Sequence, residues 1–350
     1  MTNSPVRFAL AGLDHHYWAF DFAKAINSHP DARLVAVGDA DLARAQEAAS
    51  HFGVERVTAN LDELIEDDAV DVIASFVSVD QNPRVCIAAA RAGKHIFSVK
   101  PLARTTEEAT EIVRAVDMAG VIFLPAESTS RVAKQYQTLK EWIDAGRFGR
   151  ILTATISQHA GLPMRWPNDA DSGWFIDPER GPGGGWIDHS IYAIDRLRWL
   201  FDDEIKSIGG FAGKLKYPEL AFEDYGSAIV EFQKGLVATI EVTWIVPPHA
   251  GRSHWVFVGT EGGASYDSLT GRLSIAGNFA PFQGWMHTAP QAMHDTGLDH
   301  MIACVLGTEQ PVANVHDAWR NLAACAAFYR GAAAGTSIMP EQEPKEGARG

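Results

Sequence analysis

Short apolar segments alternate with helical segments through the first 125 or so residues, and this alternation constrains the fold more than any other feature of the sequence. Apolar runs predict strands at residues 6–11, 33–37, 70–77, 95–99 and 121–125. Amphipathic or alanine-rich stretches between them predict helices at 18–28, 41–52, 82–92 and 106–119. Such alternation is typical of right-handed βαβ units, so we expect a doubly wound α/β domain with a parallel sheet.

The pattern changes after Glu127. It predicts a helix at 131–145, a strand at 151–158, a long loop rich in proline and glycine, and a helix that ends near Leu200. Several strands then follow between 205 and 275 without intervening helices, and they include a hairpin over 227–244. We therefore expect a second, largely antiparallel sheet with an open face that pairs with another subunit.

Two helices, at 296–306 and 315–334, close the folded part of the chain. We divide the chain into the doubly wound domain at 1–126, a second domain that holds the antiparallel sheet at 127–340, and a loose polar tail at 341–350.

Charge and cysteine content exclude several classes of protein. The chain has 30 Lys and Arg against 44 Asp and Glu, for a net charge of -14, so a nucleic-acid partner is not expected. Its three cysteines, Cys86, Cys304 and Cys325, lie far apart, which argues against a disulfide framework or a structural zinc site. The N-terminal apolar run is too short for a signal peptide or a membrane span, so we expect a cytoplasmic protein that does not bind membranes.

The turn after the first strand lies where a dinucleotide fingerprint would lie. Of the fingerprint's three glycines only Gly12 is present, followed by Leu13, Asp14 and His15. Backbone amides at the start of the next helix can still hold a pyrophosphate. The alternatives are a turn without a ligand, or a metal site at His15 and His16. Adjacent side chains converge poorly, so we predict no metal.

Asp39 and Lys100 each follow a predicted parallel strand, at the edge where such sheets bind ligands. A carboxylate at Asp39 would bind the ribose hydroxyls of NAD and repel a 2′-phosphate; the alternative is a turn or helix-capping residue. Lys100, with the chain fixed by Pro101, can relay a proton if burial lowers its pKa; the alternative is a surface lysine.

Asp188, Tyr192 and Asp195 share one face of the helix that follows the glycine run 183–185. A tyrosine hydroxyl near a lysine ammonium can donate or accept a proton, because the ammonium favours the phenolate. The alternative is a tyrosine in the core.

The ordered set of segments at 35–45, 92–102, 146–151, 183–195, 258–262 and 327–340 resembles the glucose–fructose oxidoreductase / inositol dehydrogenase / rhizopine-catabolism (Gfo/Idh/MocA) family. The resemblance implies a Rossmann domain, then an α/β domain with a large, mostly antiparallel sheet through which members pair as dimers or tetramers. It also implies oxidation of a secondary alcohol of a sugar or cyclitol, with hydride passed to NAD or NADP.

The family's Glu-Lys-Pro motif corresponds to Val99-Lys100-Pro101, and its Asp-x-x-x-His pair corresponds to Asp188 and Tyr192. The sequence departs from the family on the cofactor side. Gly12 is the only fingerprint glycine, and Val99 replaces the glutamate. After the third strand, Val77-Ser78 replaces the usual Thr-Pro and Asn82 replaces the histidine that often follows.

We therefore predict an NAD-dependent oxidoreductase, with NADP left open, in which Lys100 and Tyr192 transfer a proton and Asp188 orients the substrate or the lysine. The predicted cofactor residues are Gly12, Leu13, Asp14, His15, Asp39, Ser78, Asn82, Lys100 and Pro101. The predicted substrate residues are Lys100, His159, Trp174, Trp186, Asp188 and Tyr192. The alternative is a sugar or nucleotide sensor of the same fold that has lost catalysis.

Overall fold

The computed structural model describes residues 4–167, 171–247, 249–279, 283–289 and 295–344. It contains two sheets, one of six strands and one of eight, each with helices packed against it. Within the described ranges, none of the helices has both the length and the apolar character needed to cross a lipid bilayer.

The first sheet is parallel throughout and has the strand order β3-β2-β1-β4-β5-β6, which confirms the predicted doubly wound domain. Its strands are β1 (Val6–Ala11), β2 (Ala32–Gly38), β3 (Arg56–Thr58), β4 (Val72–Ser75), β5 (His95–Ser98) and β6 (Phe123–Pro125). The helices between them are α1 (His16–Ser28), α2 (Leu42–Phe52), α3 (Leu61–Ile65), α4 (Asn82–Arg91) and α5 (Thr106–Ala119).

Local sequence signals fix most of these boundaries. Asp41 and Thr105 accept hydrogen bonds from backbone amides at the starts of α2 and α5, and Gly53 and Gly120 end the same helices in the left-handed conformation. The sequence did not predict β3 and α3, because three and five residues are too short to show a period.

The second sheet has the order β14-β13-β12-β11-β7-β10-β9-β8 and is antiparallel except where β7 pairs with β10. Its strands are β7 (Ile151–His159), β8 (Ile205–Gly213), β9 (Tyr225–Phe232), β10 (Val237–Thr243), β11 (Arg252–Gly259), β12 (Gly263–Asp267), β13 (Arg272–Ala276) and β14 (Met286–His287). The remaining helices are α6 (Lys134–Asp144), α7 (Gly185–Phe201), α8 (Leu298–Val305) and α9 (Val315–Ala334). The predicted hairpin is β9 and β10.

Helix α7 packs on one face of this sheet and α9 packs on α7, so alternate strand residues such as Ala154 and Ile156 are buried. The opposite face exposes apolar side chains, which are Phe211, Ile229, Val237 and Val258. Which residue lies on which face follows from strand parity.

The C-terminal part of the chain returns to the first domain. Leu298 and Met301 of α8 pack in the same apolar cluster as β1 and α1. The tail was expected to be loose, but Glu341 accepts a hydrogen bond from Thr106 and Glu343 pairs with His316, so the tail is held as far as Glu343. Residues 345–350 of the predicted tail lie outside the described residues. The domain boundary at residue 126 remains a prediction.

Candidate active site

The carboxyl ends of β1, β2, β4 and β5 meet at one edge of the first sheet, where α7 and the loop after β7 cover them. A parallel doubly wound sheet binds its ligands at this edge. The structure therefore brings Gly12, Asp39, Ser78 and Lys100 together, as the sequence predicted.

Gly12 makes the tight turn between β1 and α1. Its φ is 82°, and a Cβ atom there would lie 2.4 Å from Cγ1 of Val77, so only glycine fits. The helix N-cap, His15, makes no side-chain capping bond, which leaves amides at the start of α1 for a ligand. Leu13 contributes its backbone, since its side chain is buried in the apolar core.

Arg44 compensates for the acidic residue at the second fingerprint position. Its guanidinium lies 3.2 Å from Asp14 and 3.3 Å from Asp39. The Asp39 carboxylate also accepts hydrogen bonds from the amides of Leu13 (2.7 Å) and Asp41 (2.8 Å). Burial raises the pKa of Asp39, and Arg44 acts against that rise. Sequence reasoning missed Arg44, because its role depends on two carboxylates that only the fold places beside it.

His15 lies between the start of α1, at the ligand-binding edge of the first sheet, and Lys100. Burial, and secondarily the charge of Lys100, lower the pKa of His15 to about 3, so the ring is neutral at pH 7. Neither ring nitrogen has a hydrogen-bond partner of good geometry among the described residues. A buried polar atom without a partner is costly, and a bound ligand would satisfy it. Together with the donor amides of the uncapped helix start and the acceptor carboxylate of Asp39, the unpartnered ring of His15 fits a dinucleotide.

The structure corrects the predicted cofactor contact of Asn82 and gives the neighbours of Ser78. Asn82 has no group left for a cofactor: its amide donates to Ser98 and to the carbonyl of Leu102 and accepts from Ser75, which ties β4 to β5. Ser78 accepts a 2.7 Å hydrogen bond from Arg180, and its own amide donates to Asp14 at 2.9 Å.

Trp174, predicted to contact substrate, lies on the nucleotide side instead. Its indole donates to the carbonyl of Asp14 at 3.3 Å, and its ring centroid is 4.8 Å from that of His15. It also stacks on Phe175 at 4.1 Å. The part of the long loop that holds Trp174 therefore folds over the start of α1, a placement that no local periodicity could predict.

Lys100 forms the centre of the site. It is only 2% exposed, and its ammonium is ion-paired with the carboxylate of Asp188, while Pro101 beside it is buried. The other oxygen of Asp188 accepts a 2.9 Å hydrogen bond from the indole of Trp244. The ring centroid of Tyr192 lies 5.2 Å from the Lys100 nitrogen, and the hydroxyl of Tyr192 accepts a 3.2 Å bond from Trp18.

The protonation states at this centre differ from those predicted. Burial lowers the pKa of Lys100, but Asp188 outweighs it, so the pKa is raised rather than lowered. Burial raises the pKa of Tyr192 more than the lysine charge lowers it. For Asp188, burial raises the pKa, yet His189, Lys100 and Trp244 leave it well below its usual range. At neutral pH the centre therefore holds an ammonium, a carboxylate and a protonated phenol.

A cavity of about 620 Å³ opens from this centre toward the second sheet. Lys100, Asp188 and Tyr192 line one end of it. The other end has an aromatic wall of Tyr136, Trp255 and Tyr266, in which the Trp255 indole donates to the Tyr136 hydroxyl at 3.1 Å. Arg196 completes the lining at that end. Sequence reasoning missed these four, although Arg196 continues the stripe of Asp188 and Tyr192 by one further turn of α7.

Two other predicted substrate residues lie away from the cavity. His159 is on the open face of the sheet, where it pairs with Glu241 at 3.1 Å; its neighbour Gln158 points into the cavity. Trp186 is fully buried and stacks on Phe328 at a centroid distance of 3.7 Å, so it is a core residue. Asp195, expected on the active face, is buried and paired with Arg131.

Among the described residues, no group of three or more His, Cys, Asp or Glu side chains could hold a metal ion. His15 and His16 are separated from such partners, and the aromatic rings of Trp174 and Trp166 lie beside them instead.

Two family models match the chain. The "Oxidoreductase family, NAD-binding Rossmann fold" model matches residues 6–127, and the "GFO/IDH/MocA C-terminal domain" model matches residues 136–265. Scyllo-inositol 2-dehydrogenase (NAD(+)) of Bacillus subtilis is 30% identical over 334 residues, which are 91% of each chain. Levoglucosan dehydrogenase of Pseudarthrobacter phenanthrenivorans is 26% identical over 345 residues, which are 89% of this chain and 83% of the relative.

Solved structures share the fold. Levoglucosan dehydrogenase in complex with NADH superposes with a TM-score of 0.82 at 22% identity, and covers 97% of this chain and 100% of its own. GenD2 from gentamicin A biosynthesis, in complex with NAD, also gives 0.82 at 22% identity, over 98% of both chains.

Proposed function

The chain belongs to the GFO/IDH/MocA family of NAD-binding oxidoreductases, and from that premise we propose that it interconverts a secondary alcohol of a sugar or cyclitol and the corresponding ketone. The observation that carries the proposal is the buried ion pair of Lys100 with Asp188 beside Tyr192. This pair lies at the ligand-binding edge of the first sheet and lines the 620 Å³ cavity. The named activities of the relatives, on inositol and levoglucosan, support the substrate class.

The residues that would hold NAD are those at the β1–α1 turn and the end of β2. Amides at the start of α1 face the pyrophosphate position, and Arg44 neutralises Asp14 there. Asp39 would bind the ribose hydroxyls, which favours NAD over NADP. When bound, NAD supplies the acceptor or donor of the hydride.

Lys100 and Tyr192 would carry the proton. In the direction of reduction, the Tyr192 hydroxyl gives its proton to the oxygen of the reacting carbon, while the Lys100 ammonium stabilises the negative charge that develops on that oxygen. Asp188 holds the ammonium in place and keeps it charged. In the direction of oxidation the pair must first lose a proton. Because the pKa values of both groups are raised, oxidation should accelerate as the pH increases above neutral.

Replacement of the lysine tests the proposal. Lys100→Ala should lower kcat by about 100-fold or more, since it removes the charge at the reacting oxygen, while NADH still binds. Turnover would be measured with inositols and sugars, and NADH binding by calorimetry. Lys206→Ala, which removes an exposed ammonium on β8, is the matched control. Unchanged turnover in Lys100→Ala would contradict the proposed role.

The state of assembly is a second part of the proposal. The exposed apolar side chains Phe211, Ile229, Val237 and Val258 lie on the face of the second sheet that no helix covers, and they support association of subunits through it. Light scattering of the wild type and of Ile229→Asp tests this; a monomeric wild type would contradict it.

The cell compartment is also part of the proposal. All three cysteines are free and buried, which fits the reducing cytoplasm that we expect for this protein. Fractionation of the native cells tests this location, and recovery of the protein outside the cytoplasmic fraction would contradict it.

A further inference from the structure

Arg196 extends the active face of α7 away from the reacting centre. Asp188, Tyr192 and Arg196 are four residues apart in turn, so they form one stripe along the helix, and all three line the cavity. Four residues of helix span about 6 Å, which is comparable to the length of a pyranose or cyclitol ring. A ring whose alcohol lies at Tyr192 would therefore present its far substituent to Arg196.

No described carboxylate pairs with Arg196. The residue is half-buried, and its Nε atom is fully buried without a hydrogen-bond partner among the described residues. The guanidinium carbon lies 4.7 Å from the ring centroid of Tyr136, which fixes the plane of the group but leaves its charge unneutralised.

The neighbouring buried arginines are all paired. Arg131 binds Asp195 and Asp317, and Arg198 binds Glu204. Burial of a cation without an anion costs free energy, and each of these two buried arginines has a carboxylate partner. Arg196 is half-buried with a buried Nε atom, and it differs from them in having no carboxylate partner among the described residues.

The cavity itself offers no anion to Arg196. Asp188 is the only acidic residue among the described residues that line it, and its carboxylate is already held by Lys100 and Trp244. The far end of the cavity thus combines an unpaired guanidinium with the aromatic faces of Trp255 and Tyr266. Aromatic faces suit the ring of a sugar, and a planar guanidinium suits a carboxylate or a phosphate.

We propose that the substrate carries an oxyanion, either a carboxylate or a phosphate, which binds Arg196 while the reacting alcohol lies at Lys100 and Tyr192. The protein then acts on a sugar acid or a phosphorylated sugar or cyclitol rather than on a neutral polyol. This inference rests on the proposed function and names its substrate class. Arg196 determines specificity and takes no part in the proton transfer.

Matched substrates test the inference. kcat/KM would be measured with NAD for D-glucuronate, its neutral methyl ester, D-glucose 6-phosphate and D-glucose. We expect one charged compound to exceed its neutral counterpart by about 100-fold in the wild type, as a charge-assisted bidentate bond would give. The carboxylate and phosphate arms distinguish the two oxyanions.

Two variants of Arg196 connect that preference to this residue. Arg196→Gln should bring the ratio of charged to neutral kcat/KM close to one, and Arg196→Lys should keep part of the preference as a point charge. Arg114→Gln, which removes an exposed arginine of α5, should keep the wild-type ratio. Thermal melting and NADH titration show that each variant is folded and binds nucleotide.

The outcomes separate this inference from the proposed function. Turnover of neutral and charged compounds at equal rates, unaffected by Arg196→Gln, would overturn the oxyanion site and leave the function standing. Absence of turnover with all four compounds, despite NADH binding, would count against the function. Calorimetry of glucuronate and glucose 6-phosphate with the NADH-bound protein then decides the site: weaker binding in Arg196→Gln supports it, and no binding, or equal binding, overturns it.

Discussion

Glu127 gives the sharpest physical prediction from this structure. It lies in the 3-10 turn after β6, is only 2% exposed, and its Oε1 atom has no hydrogen-bond partner among the described residues. Burial, and secondarily the charge of Asp195, raise the pKa of Glu127 from its ordinary 4.5 to about 8. At pH 7 the folded protein therefore keeps a proton at Glu127 that the unfolded chain has released.

This difference in protonation sets how strongly the free energy of unfolding depends on pH. A carboxyl whose folded pKa is raised stabilises the fold fully below its unfolded pKa, and this contribution is lost as the pH rises toward the folded pKa. At about 1.4 kcal/mol for each pKa unit, the loss is about 3 kcal/mol at pH 7 and about 5 kcal/mol above pH 8. Glu127→Gln keeps the shape and removes the titration, so its free energy of unfolding should exceed that of the wild type by about these amounts.

Urea unfolding between pH 4.5 and pH 9, followed by tryptophan fluorescence and far-ultraviolet circular dichroism, measures this difference. The excess stability of Glu127→Gln should be near zero at pH 4.5 and should grow steadily up to pH 8. Glu47→Gln removes an exposed carboxylate of α2 and is the control for loss of charge in water. A constant difference between Glu127→Gln and the wild type over the whole range would refute the assignment of a buried, protonated Glu127.

Three further predictions concern the ligand-binding edge of the first sheet and the proton transfer proposed for Tyr192. Tyr192→Phe should lower kcat for ketone reduction by about 100-fold and should change the dependence of kcat on pH, both measured by NADH absorbance. A variant with the kcat and the pH dependence of the wild type would exclude Tyr192 as the proton donor. Arg44→Gln should weaken NADH binding about tenfold in calorimetry, because the negative charge of Asp14 is then no longer neutralised. Addition of Asp14→Gly to the same chain should restore NADH binding. A double variant that binds NADH as weakly as Arg44→Gln would contradict the pairing of Arg44 with Asp14. Gly12→Ala should lower both the melting temperature and the affinity for NADH, because the Cβ atom of the alanine would collide with Val77. A variant that melts and binds NADH like the wild type would show that the turn relaxes around the added atom.

Much of the fold could be predicted from the sequence, because the signals that specify it are local. The period of apolar residues identified the long helices and most strands, and the alternation of the two elements implied a parallel sheet. Gly12 and Asp39 were placed correctly at the ligand edge because they directly follow predicted strands. The short elements Arg56–Thr58 and Leu61–Ile65 were not predicted, since they are shorter than the window in which a period can be seen.

Residues of the site could be predicted where they follow a strand of the first sheet or share one helix. Asp188 and Tyr192 share a helix face, so their spacing showed that they lie together. His159 was misplaced because strand parity, set by pairing with Thr243 and Arg252, turns it to the open face. Trp186 lies just before Asp188 on the same helix, but it packs against Phe328 and belongs to the core.

The sequence by itself determined the two-sheet architecture, the ligand edge of the first sheet and the shared helix face of Asp188 and Tyr192, because each depends on the order and period of neighbouring residues. Only the tertiary structure decided the charge states of the site residues. Lys100 stays charged because Asp188 is folded against it from 88 residues away, and Arg44 balances Asp14 across 30 residues. It also decided that Arg196 has no carboxylate partner among the described residues, because the absence of a neighbouring carboxylate is a property of the packed cavity and not of the chain.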